Sequence, residues 1–113
     1  MGAVAYIRYL RVSPRRSRAV ARKIKGKQVS EALAILKFTP KKAARMLYKA
    51  VKSAADNAIS RGEASDYSQL YIKRLMVNEG PRLRRWRPEA RGRVKIIRHR
   101  YSHYFVEVER IGG

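Results

Sequence analysis

Nine basic residues lie between Pro81 and Arg100, opposed only by Glu89, and this run sits inside the chain rather than at its end. A short domain cannot bury such a run, because each unpaired charge taken out of water costs several kcal/mol. Blocks of like charge at chain termini are often disordered tails, but a segment of strand character follows this one. There Tyr104, Val106 and Val108 alternate with polar neighbours, as half-buried strands do. Before the run, Leu70 to Val77 also reads as a strand, with Leu70, Ile72 and Met76 toward one face. Joined antiparallel, the two segments form the base of a hairpin whose arms are the arginine-rich residues. About ten residues per arm at roughly 3.3 Å each give a reach of about 30 Å. The arms must project.

A second cationic block precedes them. Arg8, Arg11, Arg15, Arg16, Arg18, Arg22, Lys23, Lys25 and Lys27 follow one another without an acidic residue. Over the whole chain, 28 Lys and Arg stand against 8 Asp and Glu, a net charge of +20. Such a charge opposes compaction unless a polyanion neutralises it. With 45% hydrophobic residues there is enough apolar surface for a packed core, and 113 residues make one domain. A folded, strongly basic small domain points to nucleic acid. The chain has no cysteine, which excludes disulfides, thiolate metal sites and thiol catalysis. No apolar run approaches the ~20 residues that span a bilayer, and the polar start gives no secretory signal. An intracellular protein is expected.

The local signals order the rest. Val4 to Val12 reads as a first strand. Ser13-Pro14 is a helix start, with Ser as N-cap and Pro at the first helical position, and the helix is expected to run to about Lys25 before Gly26. Ser30 is expected to cap a short second helix through about Leu36, burying Leu33 and Leu36. Thr39-Pro40 repeats the cap-and-proline signal ahead of the longest helix. In that helix Ala44, Leu47, Tyr48, Val51, Ala54, Ala55, Ala58 and Ile59 keep the three-and-four spacing of one buried stripe. Gly62 ends it, and residues 63–68 form a polar loop.

From Arg82 to Arg100, Arg outnumbers Lys eight to one. The guanidinium fork grips phosphates with two prongs and stacks on exposed bases. Gly80-Pro81 opens the excursion, and Pro88 and Gly92 predict a bent or irregular far end. Trp86, the sole Trp, either stacks on an unpaired base or packs against protein. The first helix presents its cations either to RNA or simply to solvent. His99 and His103, four apart, fall at the start of a strand and lack a third ligand, so His103 reads as a hydrogen-bond donor rather than a metal ligand. Glu107 and Glu109 alternate on the outward face of the last strand, where they would blunt a sheet edge. Asp56 and Asn57 cap or pair locally. No nucleophile–base set and no phosphate-binding glycine loop can be assembled, so no enzyme and no cofactor are expected.

Several ordered blocks together resemble the bacterial large-subunit ribosomal protein family numbered twenty-two, over nearly the whole chain. They are Ser13-Pro14-Arg15, Ile24-Lys25-Gly26-Lys27, Lys41-Lys42-Ala43-Ala44 and Ser53-Ala54-Ala55-Asp56-Asn57-Ala58, then Val77-Asn78-Glu79-Gly80-Pro81, Leu83-Arg84-Arg85, Pro88, Ala90-Arg91-Gly92-Arg93, Ile97 and Ser102-His103. The resemblance implies an α+β fold: a three-stranded antiparallel sheet packed with three helices, plus a long projecting β-hairpin. It implies one RNA-binding domain over residues 1–113, with 78–101 as the extended hairpin. It also implies 23S-type ribosomal RNA as ligand, a part in subunit assembly, and a hairpin tip lining the nascent-peptide exit tunnel near the constriction where macrolides act. Asn78, Trp86, Glu89 and Tyr104 depart from the family's usual residues.

The expected RNA contacts are Arg8, Arg11, Arg15, Arg16, Arg18, Lys25, Lys27, Lys41, Lys42, Arg82, Arg84, Arg85, Arg87, Arg91, Arg93, Lys95, Arg98, Arg100, Ser102 and His103. The expected tunnel-lining tip comprises Leu83, Arg84, Arg85, Trp86, Arg87, Pro88, Glu89, Ala90, Arg91, Gly92 and Arg93. Expected partners are large-subunit rRNA, neighbouring ribosomal proteins and the passing nascent polypeptide, with no membrane and no homo-oligomer, on a cytoplasmic ribosome or an organellar one. Two other classes compete: a DNA-architectural protein with a basic arm, and an RNA-processing enzyme.

Overall fold

The longest helix shows how the domain closes. In the computed structural model it spans Lys42–Ser60 and buries Ala43, Ala44, Leu47, Ala50, Val51, Ala54, Ala55 and Ala58. The stripe is the expected one shifted slightly inward, with Tyr48 and Ile59 at its half-buried margins. Six of the eight buried residues are Ala, and so small a surface lets the helix axis lie close to the sheet beneath it.

The elements run β1 (Ala3–Leu10), α1 (Pro14–Ala21), α2 (Val29–Lys37), α3 (Lys42–Ser60), a 3-10 turn (Tyr67–Gln69), β2 (Leu70–Glu79), β3 (Leu83–Pro88), β4 (Val94–His99) and β5 (Ser102–Arg110). The structure describes residues 3–79, 83–88, 94–99 and 101–112, and for Tyr9, β3 and β4 the backbone alone. β1, β5 and β2 form an antiparallel sheet in that order, and β3 pairs with β4 in a separate two-stranded ladder. One face of the larger sheet, including Leu70, Ile72, Leu75, Val77, Tyr104, Val106 and Val108, is buried with Leu47 and Val51 of α3 and Val20 of α1.

The hairpin base is as expected: Val77 faces Tyr104 and Glu79 faces Ser102 in the body. Beyond it the register resumes from Leu83↔His99 to Pro88↔Val94. Three residues separate the two ladders on the outgoing arm and two on the return. A compact chain of this length has a radius of gyration of about 13 Å. Here it is 17.2 Å, and the molecule measures 64 × 25 × 17 Å, because the hairpin projects. The expected bend around Gly92 falls on residues 89–93, outside the described residues.

Five local expectations are corrected. Met76 does not point inward: it is exposed while Leu75 and Val77 are buried. A bulge between Ile72 and Arg74 inserts one residue into β2, which reverses the alternation beyond it. Thr39-Pro40 does not cap α3, whose N-cap is Lys41. The Thr39 hydroxyl instead donates to the Ile35 carbonyl at 2.7 Å, finishing α2. That second helix starts at Val29, with Gln28 rather than Ser30 as its N-cap. Its start is set by a tertiary tie, since the Ile72 amide donates to the Lys27 carbonyl at 3.0 Å. Finally, β5 is the central strand, so Glu107 and Glu109 lie on the sheet's open face but not on an edge. The first helix is also shorter than expected, ending at Ala21 in turns that reach Gly26, whose φ of 75° suits glycine.

Candidate nucleic-acid interface

Two buried ties hold the cationic helix α1. Ser17 and Tyr104 are both fully buried, with their hydroxyls 2.5 Å apart. The Ser17 hydroxyl reaches the Ser13 carbonyl at 3.0 Å, so the Tyr104 hydroxyl is the donor of the shared bond. Burial pushes the Tyr104 phenol above its ordinary pKa, and it remains protonated. On the outer side, the Arg18 guanidinium donates from Nε (3.2 Å) and Nη2 (3.0 Å) to the Val77 carbonyl. Since β2 is an edge strand, this fork satisfies an edge carbonyl and fixes α1 alongside it. Arg18, Arg22 and Lys25 then line a cleft of about 340 Å³ against Leu75 to Asn78.

A larger cleft, about 570 Å³, opens where the starts of α1 and α3 meet. Arg11, Arg16, Lys41 and Lys42 rim it, and Val12, Ala19 and Ala43 contribute apolar surface. Neither helix start carries a side-chain cap or an acidic residue in its first turn. Free amide donors and four cations therefore share one concavity, an arrangement that favours phosphate. Among the described residues, the ion pairs are Lys27–Glu31 (3.7 Å), Lys73–Glu109 (3.4 Å) and Arg74–Glu107 (3.6 Å). None of the cations lining the two clefts takes part.

The open face of the sheet is different. Tyr6 stacks on His103 with centroids 6.4 Å apart, meets Phe105 edge-on at 6.3 Å, and lies 4.8 Å beneath the Arg8 guanidinium carbon. The bulge at residue 73 places Lys73 and Arg74 both outward, opposite Glu109 and Glu107. The Tyr71 hydroxyl donates to the Glu109 carboxylate at 2.9 Å, which holds that carboxyl below its ordinary pKa. The cations of β2 are thus matched by acids on this face, while Arg8 lies over Tyr6, and the cations lining the two clefts of the helical side have no acidic partner among the described residues.

The family described as Ribosomal protein L22p/L17e matches residues 5–109. The chain belongs to this family. Large ribosomal subunit proteins uL22 are similar to it throughout. That of Petrotoga mobilis is 46% identical over 94% of this chain and 70% of its own length. That of Desulforamulus reducens is 47% identical over 96% and 95%, and that of Clostridioides difficile 47% over 96% and 97%. The L22p/L17e chain is accordingly a protein of the large ribosomal subunit, in a family of structural ribosomal proteins.

Within this L22p/L17e domain the expected contact residues divide. Arg11, Arg16, Lys41 and Lys42 come together in the larger cleft, and Arg18 and Lys25 in the smaller. Arg15 is exposed on α1, and Lys27 is half-buried beside Glu31. Arg8 and His103 lie on the opposite, open face, apart from the helical cations. Ser102 is fully buried, and its hydroxyl donates to the Val12 carbonyl at 2.6 Å, which braces the strand end. Among the hairpin residues, the structure describes the backbone pairing of 83–88 with 94–99, and the side chains of 80–100 lie outside the described residues. Sequence reasoning passed over Arg22 as a cleft residue and the Tyr6–Phe105 pair, which the alternation of β1 against β5 would have exposed. Asp56 accepts a hydrogen bond from the Tyr67 hydroxyl, whereas the Asn57 amide donates to the Val4 carbonyl at 3.2 Å, a tertiary tie between α3 and β1 and not the local pairing expected of it. No group of three metal-ligating side chains forms among the described residues. No helix among them is long and apolar enough to cross a membrane.

Proposed function

We propose that the chain binds 23S-type ribosomal RNA through two surfaces, the α1–β2–α3 side of the domain and the arms of the projecting hairpin, and so supports assembly of the large subunit. The observation that carries this reading is the set of exposed cations lining the two clefts, none of them paired with an acid among the described residues. Apart from Arg18, whose guanidinium is engaged with the Val77 carbonyl, each is free to displace counterions from phosphate, a large source of affinity for nucleic acid. The hairpin extends the same sign of charge beyond the body, and a member of this family would use its far end, around 83–93, to line the peptide exit tunnel. Arms that hold RNA and a tip beside the nascent chain are separate roles. Neighbouring ribosomal proteins are the remaining partners.

Binding to a structured 23S-type RNA fragment and to a DNA duplex of equal length, at matched salt, tests the reading. Tighter binding to the ribosomal RNA is expected. Tighter duplex binding would instead favour a DNA-architectural role.

A further inference from the structure

Phe38 is 81% exposed, far more than any other large apolar side chain among the described residues. It occupies the C-cap of α2, in a turn whose backbone is firmly tied. Its own amide donates to the Ala34 carbonyl (3.3 Å), that of Thr39 to Leu36 (3.2 Å) and that of Lys41 to Thr39 (2.9 Å). The Thr39 side chain adds its bond to Ile35, and Pro40 stiffens the next residue. Phe38 is therefore held outward by a preformed turn.

The surroundings say what such a ring would meet. Between Glu31 and Asp56 there is no acidic residue, while Lys37, Lys41, Lys42, Arg45, Lys49 and Lys52 all fall in that interval. On α3, Lys42, Arg45, Lys49 and Lys52 are exposed at spacings of three, four and three, which makes one cationic stripe. Immediately before Phe38, Leu36 and Lys37 line a cleft of about 360 Å³ with Arg45, Tyr48 and Lys49. Immediately after it, Lys41 and Lys42 rim the larger cleft described above. The turn thus links two cationic concavities and carries one flat apolar face between them.

We infer that the α2–α3 turn is a stacking post for an unpaired nucleotide: the Phe38 ring receives the base, while Lys37, Arg45 and Lys49 hold the flanking phosphates. The inference rests on the RNA-binding reading above and adds a third contact surface to it. An aromatic ring set among unpaired cations suits single-stranded RNA, whose bases expose their faces, and not a duplex, whose bases are stacked on one another. A protein partner would have to match six cations with no acid between them, which favours the polyanion.

The test uses the full chain and its Phe38→Ala, Phe38→Trp and Arg45→Ala variants. Each is titrated across a salt series with 12-nucleotide oligouridylate, oligoadenylate and an RNA duplex of equal length. Phe38→Ala is expected to weaken both single strands about tenfold, with the salt slope unchanged and the duplex unaffected, and Phe38→Trp to restore the loss. Arg45→Ala is expected to lower the slope by about one on the single strands. An unaltered Phe38→Ala would overturn the inference and assign the ring to a protein neighbour. Equal losses on single strand and duplex, or a lowered melting temperature, would overturn it in favour of a structural role. A wild-type chain that prefers DNA duplex to ribosomal RNA removes the underlying reading as well, and that result is seen before any variant is made.

Discussion

The two faces of the central sheet have the same three strands and opposite fates. The face under α1 and α3 is apolar apart from the bonded hydroxyls of Ser102 and Tyr104, and Tyr104, Val106 and Val108 have 0% exposure. The open face carries Val4, Tyr6 and Met76 half in solvent, together with ion pairs that cancel one another. The clustered cations without acidic partners lie on the helical side, where α1 and α3 begin, whereas Arg8 lies over Tyr6 on the open face. Burial stabilises one face, internal charge matching quiets the other, and the ligand-seeking charge is displaced to the rims of the helices. A domain with this much positive charge stays folded because its core and its cations occupy different places.

The largest expected effect separates the two faces energetically. Leu47→Ala removes a fully buried side chain beneath the sheet and should cost about 3 kcal/mol in denaturant unfolding. Met76→Ala, on the open face, should cost about 0.5 kcal/mol or less. Comparable losses at the two positions would break the distinction.

A middle-sized effect separates cations by pairing. Lys42→Ala should lower the slope of log affinity for ribosomal RNA against log salt by about one. Arg74→Ala should leave that slope nearly unchanged, because Arg74 already faces Glu107 at 3.6 Å. Equal slopes for the two variants would show that the cleft cations carry no special share of phosphate contact.

The smallest effect concerns acid. The Tyr71 hydroxyl, with Lys73 beside it, lowers the Glu109 pKa in the folded chain. The stabilisation from a depressed carboxyl is present above its unfolded pKa and lost as pH falls through the folded value. Melting temperature should therefore fall less between pH 6 and pH 3 in Glu109→Gln than in wild type. An identical decline in both would show that the open-face pairing contributes nothing to stability.

Much of this architecture was already legible in linear order. The α3 stripe, the alternation of Tyr104, Val106 and Val108, and the need for residues 81–100 to leave the body all follow from periodicity and from the cost of burying charge. Such signals are local, and local patterning survives folding whenever one face of an element is buried. Three features were not legible for the same reason. The bulge after Ile72 depends on how β5 pairs with β2, and it turned Met76 outward. Thr39 faced a choice between finishing α2 and starting α3, which the Ile35 carbonyl settled. Glu107 and Glu109 look like edge guards until strand order makes β5 central.

The functional surface divides in the same way. By itself the sequence determined that the chain is basic, folded, and equipped with an arginine-rich projection, since charge counts and hydrophobic periodicity need no third dimension. Only the tertiary structure decided which cations share a site. Arg11 and Arg16 meet Lys41 and Lys42 because α1 and α3 start side by side. Arg8 is separated from them because alternate residues of a strand point to opposite sides of a sheet. Phe38 stands in solvent at the C-cap of α2, where the helix ends and its buried face no longer extends. Proximity between residues far apart in sequence arises from packing, and no spacing rule along the chain encodes it.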